Sequence, residues 1–245
     1  MLGVVFEGCA CRAAFHAGVV DVLAGAGLAV GVTAGASSGA IAAAALASGK
    51  GADFARLYRS MSGRSIVSWR RVWHNRSPFD MSTIVREALR ESFGDGDLRG
   101  APVEALCTVT RLPDLRRVVM SSREEADFVP AILGSCFLPV LYGRTIRLGR
   151  HWVVDGGISD NLPLGPVVRR GASTILAVVP SHDGTALKRP LQPRVRPHEA
   201  SVGARVVTVH PTRPLEVGAW DFDGGRVARA IDAGREAAEL ALRRL

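Results

Sequence analysis

Cysteine occurs only at Cys9, Cys11, Cys107 and Cys136, with no Cys-x-x-Cys pair and no histidine–cysteine cluster around them. That pattern excludes a disulfide framework and a zinc site of ordinary spacing, so the thiols read as reduced side chains of a cytoplasmic protein. Long apolar runs are missing as well. A membrane-spanning helix needs about 20 consecutive apolar residues, whereas the most apolar stretch, 17–49, contains Asp21 and several glycines. The first residues, Met1 to Phe6, are apolar but few; they lack the basic start of a leader and run straight into Glu7. Lysine is almost absent: of 31 basic residues only Lys50 and Lys188 are lysine, and the rest are arginine. Against 23 acids this leaves a formal net charge of +8. A basic balance admits an anionic membrane surface or nucleic acid as partner, and it fits a solvated arginine-rich exterior equally well.

What is present suits one α/β domain. Hydrophobic residues make up 47% of the chain and charged residues 22%, ordinary for a globular enzyme. At 245 residues one buried core suffices, and 1–245 reads as a single domain without repeats or linkers. Strand-like segments at 2–6, 28–33, 104–110, 116–121, 152–154, 173–179 and 205–210 alternate with helical ones at 13–26, 41–46, 82–93, 128–137 and 227–245. Such alternation predicts a sheet with helices packed on it. Two stretches stand apart. Residues 54–81 are rich in arginine and carry Trp69, Trp73 and Phe79, which reads as a cap or loop. Residues 181–203 hold Pro190, Pro193 and Pro197, which reads as an extended, mobile loop.

Candidate chemistry begins at Gly35-Ala-Ser37-Ser-Gly39. A serine between two such glycines, behind a β-type segment and ahead of an almost wholly apolar helix, is the pattern of a nucleophile elbow. Its hydroxyl needs a base within hydrogen-bond reach. In chain order Ser37, Asp155 and one of His182, His198 or His210 would make a histidine triad. Only two strands precede the elbow, however, and no motif surrounds those histidines. The other choice is Asp155 itself, at the end of a short apolar strand and ahead of Gly156 and Gly157, which permit a sharp turn and a close approach. A glycine-rich helix-capping turn and an ordinary Asp-Gly turn are the plain alternatives at these two places. Cys9 and Cys11 read as packing residues, since a cysteine nucleophile would have only His16 near it in sequence.

With the residues around them, these motifs resemble the patatin-like phospholipase family. The resemblance rests on 35–39, on Asp155-Gly-Gly157 with Asp160-Asn-Leu-Pro163 after it, and on Phe137-Leu-Pro-Val140. It extends to Gly8, Arg12 and Gly18 near the start and to Asp221-Phe-Asp223 before the last helix. Members of that family are lipid acyl hydrolases of three-layer α/β/α fold, a sheet with helices on both faces, and they use a serine–aspartate dyad without histidine. The resemblance implies Ser37 as nucleophile and Asp155 as the base that takes its proton and returns it to the leaving alcohol. Gly35, Gly39, Gly156 and Gly157 would support them. An oxyanion hole is implied at Gly8, Cys9, Ala10 and Arg12.

The family's loop there reads Gly-Gly-Gly-x-Arg/Lys-Gly, whereas this chain has Cys9, Ala10 and Ala13 at three glycine positions. Such a loop is unstrained only where Ala10 and Ala13 keep negative φ. The implied reaction is hydrolysis of a lipid or similar acyl ester, of phospholipase A, lysophospholipase or esterase type, with no cofactor and no metal. Acyl transfer, thioester hydrolysis and a catalytically weak lipid-binding role fit the same frame. The expected location is the cytoplasm, with peripheral contact to an anionic membrane surface and no nucleic-acid partner. The oligomeric state is left open.

Overall fold

Short segments rich in valine, leucine and isoleucine pair into one sheet, as runs too short for buried helices do. The computed structural model describes residues 1–60, 86, 89, 98–124, 128–138, 146–200, 203–221 and 223–245. The strands are β1 (Leu2–Phe6), β2 (Val30–Ala36), β3 (Glu104–Arg111), β4 (Arg116–Ser121), β5 (Ile146–Leu148), β6 (His151–Val154), β7 (Thr174–Val178) and β8 (Arg205–Val209). Hydrogen bonding links them in the order β5-β6-β3-β2-β1-β7-β8, with β4 also on β3. The consecutive strands β3, β2, β1, β7 and β8 run parallel, with β8 at the edge.

Alternation along each strand divides the core in two. Val4, Phe6, Cys107, Val109, Leu176 and Val178 face one way. There they meet α1 (Ala14–Gly25), α2 (Ser38–Ala47), α3 (Gly51–Ser60), α4 (Phe128–Ser135) and, through Val227 and Ile231, a long helix over Gly224–Leu242. Val5, Val32, Ala34, Leu106 and Ile175 face the other way, onto Leu162, Leu164 and Val167 at α5 (Leu164–Arg169); the long last helix is α6. This is the three-layer α/β/α arrangement. Every residue of α2 is buried, which explains its lack of a polar face.

Two strands converge on β3 to create the site. β2 pairs with its first half, ending at Ala36 opposite Thr108. β4 occupies the opposite edge over Leu106 to Arg111. β6 therefore shares β2's edge, running antiparallel, and ends at Val154 opposite Thr110. The two chain ends meet head to head across Val109, so the residues that follow, Ser37 and Asp155, become neighbours.

Several boundaries differ from the sequence expectation. β2 runs through Ala-Gly-Ala up to the elbow instead of stopping near 33, because pairing with β1 and β3 supplies what β-propensity does not. Residues 54–60, at the start of the stretch expected as a cap or loop, are helical and belong to α3, whose Phe54, Leu57 and Tyr58 are buried. The remainder of the 54–81 expectation lies outside the described residues. So does most of the helix expected at 82–93, apart from helical Arg86 and Leu89, of which Leu89 is buried. β5 has no counterpart in the sequence reading.

Within the proline-bearing stretch 181–203, Pro197–Ala200 form a short helix, and the turns and bridge before it are tied down. Ala186 and Val195 form a bridge, Asn161 donates from its backbone N to Lys188 O at 2.7 Å, and Arg189 donates to Ser159 O at 2.7 Å.

Candidate active site

Ser37 stands between β2 and α2 with φ 53° and ψ −131°, a conformation that costs a non-glycine residue about 1–3 kcal/mol. The surroundings force it. A Cβ on Gly35 would lie 2.1 Å from Gly39 O, and one on Gly39 would lie 2.4 Å from Phe6 O, so α2 departs against bare backbone on both sides. The Ser37 side chain is half-buried at that junction.

Asp155 leaves the end of β6 with only 5% of its surface exposed. Its N–H donates to Phe137 O at 2.8 Å, and its carbonyl accepts from Thr110 Oγ1 at 2.7 Å. Its Oδ1 accepts from Gly157 N at 2.7 Å. Burial raises its pKa to about 6, and the Ser37 side chain and the Gly157 N–H each pull it down against that rise. Gly156 sits so close to β3 that a Cβ would fall 1.9 Å from Thr108 O. The Asp-Gly-Gly motif is thus a buried carboxyl on a turn pressed against the sheet, not a solvent-facing turn.

Sequence reasoning missed Ser135, the residue that links the two halves. From the end of α4 its Oγ accepts the Ser37 N–H at 2.8 Å and donates to Thr108 O at 2.6 Å. Its carbonyl accepts the Gly156 N–H at 3.1 Å. No local pattern marks such a residue, because all three partners come from distant segments.

The loop after β1 passes beside the elbow. Gly8 N donates to Asn161 O at 3.1 Å, Cys9 N to Ser38 Oγ at 3.1 Å and Arg12 N to Cys9 O at 3.3 Å. Of the four residues expected at an oxyanion hole, only Ala10 has an N–H that meets no acceptor among the described residues. Ala10 also has φ 54°, while Ala13 has φ −66°. The unstrained condition therefore holds at Ala13 and fails at Ala10. Asn161 fastens this loop: its Nδ2 donates to Gly8 O at 2.9 Å and to Leu187 O at 3.0 Å.

Glu7, just before the loop, is buried, with Oε1 accepting from Leu187 N at 2.8 Å and Oε2 lacking a partner among the described residues. Burial lifts its pKa to about 7 against the opposing pull of the Leu187 N–H, Arg194 and Arg12. The Arg12 Nε is likewise buried without a partner among the described residues.

The competing nucleophiles and bases fall elsewhere. Cys9 Sγ lies 3.7 Å from His16 Nε2, but burial raises the thiol to about 12 and lowers the imidazole to about 3. Both groups are neutral, so this is a packed pair and no thiolate–imidazolium couple. His182 and His198 are exposed, and His210 Nδ1 pairs with Pro211 O at 3.2 Å. Among the described residues no hydrogen bond joins any of these three to Ser37 or Asp155.

The chain is 27% identical over 184 residues to the lysophospholipase NTE1 of Saccharomyces cerevisiae, a match covering 72% of this chain but only 10% of the yeast protein. The crystal structure of VipD from Legionella pneumophila superposes with a TM-score of 0.53 at 12% identity, over 98% of this chain and 66% of that one, a likeness of fold. The family model for patatin-like phospholipase matches residues 4–168, well over half the chain and inclusive of both Ser37 and Asp155. The chain belongs to the patatin-like phospholipase family.

Proposed function

We propose that this chain is a serine acyl-ester hydrolase of lipids, with Ser37 as nucleophile and Asp155 as its proton acceptor and donor. The observation that carries this reading is the buried Asp155 carboxyl beside a serine held in elbow geometry, with Ser37 the largest influence drawing its pKa down. Family membership and the yeast relative's name supply the substrate class, a lipid acyl ester.

In the first half-reaction Ser37 Oγ attacks the ester carbonyl carbon as its proton passes to the Asp155 carboxylate. The tetrahedral oxyanion then collapses, the bond to the alcohol breaks, and Asp155 gives the proton to that alcohol. A water molecule next attacks the acyl-enzyme, its proton going to Asp155. Collapse releases the carboxylic acid and returns the proton to Ser37. A pKa of about 6 suits a group that must both take and give a proton near neutrality. The Ala10 N–H is the free backbone donor on the loop side, and the first turn of α2 adds the positive end of its dipole.

One observation favours a second reading. With Gly8 and Cys9 N–H groups bound internally and Ala10 strained, a catalytically weak lipid-binding protein has the same scaffold. Acyl release from a dispersed lysophospholipid separates the two. Turnover in wild type, absent in Ser37→Ala and in Asp155→Asn, supports the hydrolase. No release from folded wild type favours the binding protein, and loss in His210→Ala with full activity in Asp155→Asn would restore the triad.

A further inference from the structure

Two hairpin ends lie side by side where β3 leaves the sheet. Leu112 N donates to Trp152 O at 2.8 Å, so the β3–β4 turn and the β5–β6 hairpin are hydrogen-bonded together. Each presents a large apolar side chain to solvent: Leu115, 54% exposed, and Trp152, 50% exposed. Scattered apolar residues are unremarkable on a surface. Here two stand on hairpins that backbone pairing joins, with cations at their flank.

Arg147 places its guanidinium 5.9 Å from the Trp152 ring centroid, and Arg150 stands exposed at the hairpin turn. Among the described residues no carboxylate lies within ion-pair distance of either. The acid of this surface, Asp114, is already paired with Arg111 and Arg116. Behind the hairpin runs a groove of about 600 Å³, floored by Val109, Val118, Met120 and Val153 and edged by the same two arginines.

Position adds to chemistry. β3 and β2 are parallel, so the β3–β4 turn projects from the end of the sheet at which Ser37 leaves β2. Trp152 precedes Asp155 by three residues, roughly 10 Å along an extended strand. A surface seated on this patch would therefore lie beside the site.

We propose that Trp152 and Leu115, flanked by Arg147 and Arg150, form a docking surface for bilayers that carry anionic phospholipid. A half-exposed indole suits the interfacial layer, and arginines with long apolar stems reach the phosphates around it. An acid-free arginine pair complements the negative headgroup potential, and each such cation adds about fivefold to partitioning. The surface concerns delivery of substrate and rests on the lipid-hydrolase reading for its purpose, though not for its existence.

The test is flotation with phosphatidylglycerol-containing vesicles and with pure phosphatidylcholine vesicles, beside turnover of a water-soluble short-chain nitrophenyl ester. Wild type is expected to float with the anionic vesicles at low salt and to be released as salt rises. Arg147→Gln/Arg150→Gln is expected to weaken that binding roughly 25-fold, and Trp152→Ala to weaken it in vesicles of either kind, with Trp152→Phe restoring most of it. Soluble-ester turnover stays at the wild-type level in all of these variants, which also reports that they fold. Equal flotation of wild type and variants, or no preference for anionic vesicles, overturns the proposal. Salt-sensitive binding to RNA with none to vesicles also overturns it. Should no form hydrolyse the soluble ester while charge-dependent flotation persists, the hydrolase reading fails and the docking surface stands.

Discussion

Ser135 Oγ accepts the Ser37 N–H at 2.8 Å, and through it the elbow is tied to β3 at Thr108. Ser135 is fully buried, so no water replaces what its hydroxyl does. Ser135→Ala leaves one donor and one acceptor unpaired, at a cost of about 1–3 kcal/mol each. The variant is expected to lose roughly 2–6 kcal/mol of stability in denaturant titration and to lose ester turnover mainly in kcat, since the hydroxyl holds the backbone of the nucleophile. Ser135→Thr, which keeps the oxygen, is expected to retain more of both.

Asp155 sets a pH dependence of two kinds. Its ionised form is the proton acceptor, so acylation should rise as pH passes through about 6 and then level. Stability runs the other way. A carboxyl whose pKa is raised from 3.8 to about 6 binds its proton more tightly folded than unfolded. Its favourable contribution is full below the unfolded value and is lost as pH rises through about 6, on the order of 3 kcal/mol. Glu7, raised from 4.5 to about 7, adds a loss of the same sign over a higher window. Unfolding free energies measured from pH 4 to 8 should therefore decline, and Asp155→Asn should flatten the lower part while abolishing turnover. Activity that is constant from pH 5 to 8 would contradict the assignment.

Ala10 holds φ 54°, a region that glycine enters without penalty. The side chain costs about 1–2 kcal/mol in that region, while glycine there forgoes about 0.4–1 kcal/mol through the unfolded chain. Ala10→Gly is expected to raise the melting temperature slightly or leave it unchanged, with turnover equal or higher. Ala10→Val, β-branched at the same φ, should lose several degrees and most of its activity. Thermal scans paired with initial rates check both.

Asn161 fastens the Gly8 carbonyl and Leu187 with one amide. Asn161→Ala is expected to cost about 1–3 kcal/mol and to lower kcat by loosening the loop that carries Ala10. Asn161→Asp keeps size but replaces the donating amide with a buried acceptor, so it should be no better. A variant with wild-type kcat would remove Asn161 from this account.

What the chain alone revealed was whatever depends on local pattern. The elbow was legible because only glycine tolerates the contacts at 35 and 39, and Asp155 because Gly156 lies against Thr108 O. α2 was legible as a buried helix from its unbroken apolar run. α3 was not, since Arg56 and Arg59 on its exposed face resembled the arginine-rich stretch after it while Phe54 and Tyr58 faced inward. β5, three residues on an edge, is too short for a periodic signal. Ser135 and Asn161 serve through contacts made only when remote strands assemble. The positive φ at Ala10 is equally a property of the assembled loop, where the sequence pattern left both signs open.

Fluorophosphonate labelling read by mass spectrometry tests whether Ser37 is a nucleophile activated by Asp155. Covalent modification of wild type at Ser37 is expected, with none in Ser37→Ala and labelling at least about 100-fold slower in Asp155→Asn. Folded wild type that stays unlabelled, modification at another residue, or an unchanged rate in Asp155→Asn would contradict that role.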